Sequence, residues 1–118
     1  MPSLFEVSAG KLAGPTTGGT VTQATNKTTG VTLNAESGQI TMNNAALGAA
    51  GEASFTVTND KIAANDVVVV NHGSGGTAGS YLVGATAIAA GSFEITVTNV
   101  SGGSLSEAIV LNYKIIKG

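Results

Sequence analysis

From Thr20 onward, apolar and polar residues alternate in short runs separated by turn-forming residues. In Ala53 to Asn59, Phe55 and Val57 share one face while Ser54, Thr56 and Thr58 share the other. This period of two marks a strand with one buried side. Ser92 to Asn99 has the same design, with Phe93, Ile95 and Val97 on the inner face and Glu94, Thr96 and Thr98 on the outer. Further strands are predicted at Thr20 to Ala24, Gly30 to Asn34, Gly38 to Asn43 and Tyr81 to Ile88. Val67 to Val70 is β-branched throughout, which predicts a central strand covered on both faces. Glu107 to Lys117 sets Ile109, Leu111, Tyr113 and Ile115 on one side and Val110 and Ile116 on the other. A terminal strand so apolar is expected to be paired within the sheet or covered by a neighbouring subunit. No helical period persists, and Asn44 to Ala50 has room for a short helical turn at most.

These runs predict an all-β fold, a single-domain antiparallel β-sandwich or barrel over residues 20–118 with an extended N-terminal arm over residues 1–19. In the arm, Gly10, Gly14, Pro15, Gly18 and Gly19 deny a helix and resist a long strand. Leu4, Phe5, Val7 and Leu12 are its apolar anchors and its candidate partner-binding residues. The runs SFTVTN at 54–59 and SFEITVTN at 92–99 echo each other, which fits either a duplicated hairpin or the shared Thr/Val composition of two strands.

Composition sharpens this picture. Aromatic residues are 4 % of the 118-residue chain, Trp is absent, and the apolar 42 % is rich in Ala and Val. Small side chains bury little area each, at about 25 cal/mol per Å², so association between subunits is the expected way to complete the core. Charged residues are 10 % and the net charge is -2, with no Arg, so the basic stripe that nucleic acid requires is missing. The chain has no Cys, which excludes disulfides, thiolate metal sites and a Cys nucleophile. Met1 to Glu6 lacks the pattern of a signal peptide and no run reaches the roughly 18 apolar residues of a membrane-spanning helix. Synthesis in the cytoplasm and no membrane partner are expected.

Candidate chemistry is sparse. His72 is the only histidine, but no nucleophile elbow accompanies it, and it is expected at a strand end. Gly73 to Ala78 matches the spelling G-x-G-x-x-A, yet Gly79 leads into a strand where a dinucleotide site needs a helix, so a mobile hairpin tip is predicted. Asn59-Asp60 and Asn65-Asp66 offer oxygens to a hard cation, but the turn-forming habit of Asn and Asp accounts for them. No two of the carboxylates are placed as a hydrolytic pair. Asn26-Lys27-Thr28 and Asn99-Val100-Ser101 spell glycan acceptors. No catalytic residue, cofactor or metal is expected.

The runs Val21 to Asn34 (VTQATNKTTGVTLN), Gly38 to Met42 (GQITM), Ile62 to Val70 (IAANDVVVV) and Gly102 to Asn112 (GGSLSEAIVLN) resemble a β-rich module of tailed-phage virion proteins. The likeness covers about residues 19 to 117 and leaves out the arm. It implies a structural protein without catalytic residues. A chain of this length resembles a capsid decoration, or cement, protein more than a long fibre. That implies a homotrimer on the capsid surface of the virion, bound to the major capsid protein by the arm. The alternative is a tail or fibre module binding a host surface glycan, for which Tyr81 would be the stacking residue.

Overall fold

The computed structural model describes residues 18–118; Leu4, Phe5, Val7 and Leu12 lie outside the described residues. The described residues form eight strands: β1 (Gly19–Thr22), β2 (Val31–Thr32), β3 (Ser37–Thr41), β4 (Glu52–Thr58), β5 (Val67–Ser74), β6 (Tyr81–Ala89), β7 (Ser92–Asn99) and β8 (Val110–Ile116). They make two four-stranded sheets, ordered β1-β3-β8-β5 and β2-β4-β7-β6. The sheets face each other as a sandwich. Of the six strand pairings, four are antiparallel. The pairings β1 with β3 and β2 with β4 are parallel, so both sheets are mixed.

Between the sheets, Ile40, Leu111, Tyr113 and Ile115 of the first meet Phe55, Val57, Phe93, Ile95 and Val97 of the second. The Phe93 and Tyr113 rings touch across the gap, with centroids 5.6 Å apart. Of the buried core residues only Ala53 is an alanine. The small side chains that dominate the composition therefore sit elsewhere, and the scarce large ones converge. At about 1.5 to 3 kcal/mol for each fully buried large apolar side chain, this concentration is what holds the sandwich. Gly38 lies where β1, β3 and β8 crowd together. A Cβ there would stand 2.8 Å from the Leu33 side chain and 2.9 Å from the Gly19 carbonyl oxygen.

Two placements differ from the sequence pattern. Val67 to Val70 is not central: β5 is the margin of its sheet, with Val67 56 % and Val69 50 % exposed, while Val68 and Val70 pack against the core. The central place belongs to β8, paired with β3 on one side and β5 on the other. The polar continuation Asn71-His72-Gly73-Ser74 is also strand, so of the expected hairpin tip Gly73 to Gly79, the first two residues end β5 and Gly75 to Gly79 cross to the other sheet. Asn44 to Ala50 has no helical turn. No helix among the described residues is long and apolar enough to cross a membrane.

The echoed segments pair with each other. Along β4 and β7, Glu52 faces Thr98 and Thr58 faces Ser92, so the two strands are related by a local dyad. The relation extends past their ends: the Asn59 amide donates to Gly91 O and the Asn99 amide to Gly51 O. Both asparagines are fully buried. Each Oδ1 accepts the amide two residues on, from Lys61 and Ser101.

Candidate functional site

The densest convergence of polar side chains lies where the chain crosses between sheets after β5. Glu107 precedes β8 and turns its carboxylate toward the glycine-rich crossover. Its Oε1 accepts from the Thr77 amide at 2.9 Å and from the Tyr81 hydroxyl at 2.8 Å, and its Oε2 accepts from the Thr77 hydroxyl at 2.7 Å. Gly76 makes room for it: its φ is 69°, and a Cβ there would stand 2.7 Å from Oε1. Only glycine takes that backbone region without strain.

These contacts set the charges. Hydrogen bonds from Thr77, hydroxyl first, hold the Glu107 carboxyl below its ordinary range, and the nearby His72 acts in the same direction. Burial, helped by the Glu107 carboxylate, pushes the Tyr81 phenol up to about 12. Lys27, which the sequence marked only within a glycan acceptor, reaches in from the β1–β2 loop. Its Nζ donates to the main-chain oxygens of Asn43 and Glu107. Burial lowers its pKa, and the Glu107 charge opposes that shift. Gln23 ties the same loop down by donating to Lys27 O and Thr29 O.

His72 stands on β5 with its ring edge-on to Tyr81, centroids 5.5 Å apart. Its Nε2 lies 2.6 Å from Gly75 O and 3.1 Å from Ser74 O. Carbonyls only accept, so Nε2 carries the proton and donates. A cavity of about 230 Å³ opens beside it, lined by His72, Gly75, Ala78, Gly79 and Tyr81. The carboxylate, phenol and imidazole nitrogen that could do chemistry here are spent on bracing the crossover.

The Asn and Asp residues considered for a cation do not converge. Asp66 accepts from the Ala63 amide, the Gly118 amide and Lys117 Nζ, and the Lys117 hydrogen bond leads the causes that hold its pKa at about 2. Asn59 donates to Ala35 O and the Tyr113 hydroxyl. Among the described residues, no group of three or more His, Cys, Asp or Glu could hold a metal ion. The described aromatics Phe55, Phe93, Tyr81 and Tyr113 are all buried, and none offers a ring face to a sugar.

What the surface does offer is apolar. On the outer side of the first sheet, Val67 and Val69 stand beside Ile116, itself 49 % exposed and directly paired with Val67. Next to them runs a polar row across all four strands, Thr20, Gln39, Asn112 and Asn71, in which Gln39 Nε2 donates to Asn112 Oδ1. The apolar corner escaped the sequence pattern because four valines in a row show no alternation. The polar residues that follow them were the available sign of a one-sided strand. Comparison with protein-family models, with curated proteins and with solved structures finds no match to this chain.

Proposed function

We propose that the chain is a non-catalytic structural module that works by association, as a capsid decoration (cement) protein of a tailed-phage virion. In this reading it is a homotrimer on the capsid surface, held to the major capsid protein, with Leu4, Phe5, Val7 and Leu12 of the arm as partner-binding residues. The observation that carries the reading is the clustering of three of the five large apolar side chains exposed among the described residues, Val67, Val69 and Ile116, at one corner of the sandwich, with Leu82 and Val100 exposed elsewhere. Exposed apolar groups at a sheet margin invite pairing with another chain. A protein that binds only the assembled lattice stabilises that lattice by mass action. The glycan-binding alternative needs an exposed aromatic platform, and Tyr81 is buried with its hydroxyl on Glu107.

The test is to add purified protein to phage heads that lack a decoration protein, and to measure saturable binding and the temperature at which the heads open. Saturation at a fixed number of copies per capsid with a raised opening temperature is expected. Binding to tails alone, or to bacterial surface glycan and not to heads, would reject the reading.

A further inference from the structure

The apolar corner lies along a strand that, among the described residues, has one neighbour where it could have two. Among the described residues, the main chain of Val67 to Asn71 hydrogen-bonds only to β8. Its other side is a margin of the sheet. Outward it shows Val67 and Val69; inward Val68 and Val70 are half-buried at the mouth of the sandwich.

The N-terminal segment has the complementary pattern. Leu4 and Glu6 alternate with Phe5 and Val7, so as a strand it turns two large apolar side chains to one face and a Leu and an acid to the other. Laid along β5, Phe5 and Val7 would close the mouth beside Val68 and Val70. Leu4 would extend the Val67 and Ile116 patch, and Glu6 would lie on the face that carries Lys114, the partner of Val69 across the ladder.

We propose that residues 4–7 of a second copy add as a strand to the free side of β5. The proposal rests on the self-association in the reading above, and it gives Leu4, Phe5 and Val7 to a neighbouring copy, leaving Leu12 of the arm for the capsid. The arm leaves the described chain at Gly18, next to β1, at the opposite margin of the same sheet. Extended at about 3.3 Å per residue, the stretch from Leu4 to Gly18 reaches roughly 46 Å. That is ample to leave its own subunit, since three strand spacings of about 4.8 Å cover the sheet. An arm folding back over its own sheet would instead lie on the Thr20, Gln39, Asn112 and Asn71 row. The stretch that would cover those groups, Gly10 to Pro15, has Lys11 as its only polar side chain, so little beyond its main chain could replace their hydrogen bonds to water. Donor and acceptor margins differ, so the contact is met either by reciprocal exchange in a two-fold dimer or head-to-tail in a ring whose rotation closes.

The test uses the full chain. Sedimentation velocity is run on the parent, on the double variant Val67→Lys with Val69→Lys, and on Phe5→Ser with Val7→Ser. Both variants should keep the parent's circular dichroism and weaken association by about tenfold or more, as expected for losing two buried apolar contacts. Because the chain has no Cys, the pair Leu4→Cys with Val67→Cys reads the partner directly. Disulfide-linked oligomers on a non-reducing gel support exchange between copies, and a cross-linked monomer overturns it in favour of the subunit's own arm. A folded β5 variant that associates like the parent overturns the inference and leaves self-association standing. A parent that stays monomeric at micromolar concentration overturns both.

Discussion

Two apolar strands of one sheet, β5 and β8, lie side by side and do opposite work. β8 buries Leu111, Tyr113 and Ile115 and is bonded on both sides. β5 gives half of its valines to solvent and is bonded on one. Their sequences are similarly hydrophobic, so hydrophobicity alone does not decide which strand is interior. What separates them is side-chain size and company: β8 alternates large residues that reach the opposite sheet, whereas β5 offers valines and then turns polar at Asn71.

The comparison breaks most easily in β8. Leu111→Ala should cost about 3 kcal/mol by loss of transfer energy and an unfilled cavity, read from urea unfolding, while Val69→Thr should stay within about 0.5 kcal/mol. Equal losses would mean that β5 is as interior as β8. Next in size, Tyr113→Phe removes the hydroxyl that donates to Ala35 O at 2.7 Å and accepts from Asn59. A cost of about 1 to 2 kcal/mol is expected, against no measurable change for Asn71→Ala on the outer side of β5.

Proton titration sharpens the contrast further. The Glu107 clasp holds the crossover that ends β5, and Asp66 holds the turn that begins it. Both carboxyls have lowered pKa values, Asp66 about 2 from 3.8. Their contribution is fully present above the ordinary carboxyl range and is lost as pH falls, for Asp66 through about 2. The Tyr81 phenol is raised from 10.0 to about 12, so its contribution is full below pH 10 and disappears as pH rises through about 12. Amide protection, taken relative to the unfolded chain at the same pH, should therefore fall around β5 at both extremes while β8 stays protected. An equal loss of protection in β5 and β8 would refute this. The smallest expected effect is that of Glu107→Gln. It keeps the shape of the clasp but weakens charge-assisted hydrogen bonds, speeding exchange at Thr77 without a measurable change in global stability.

Much of the fold was legible because alternation reports burial directly. Phe55, Val57, Phe93, Ile95, Val97, Ile109, Leu111, Tyr113 and Ile115 all face inward as their spacing predicts. Strand order was not legible, since pairing is decided by contacts far apart in sequence and Val67 to Val70 has no period to read. The polar clasp was invisible for a similar reason. Lys27, Thr77, Tyr81 and Glu107 belong to four separate segments, and only the packed sheets bring them together. The arm residues lie outside the described structure, so their role rests on the sequence pattern.

The burial of Asn99 bears on how the protein can be produced. Its Nδ2 donates to Leu47 O and to Gly103 O, both at 2.8 Å, and the residue has no exposed surface. In a eukaryotic secretory host, oligosaccharyltransferase meets the Asn99-Val100-Ser101 sequon before folding is complete, and a sugar attached then has no room at a fully buried side chain and would hold the loop open. Expression there requires Ser101→Ala or a bacterial cytoplasm, whereas the exposed Asn26 tolerates the same modification.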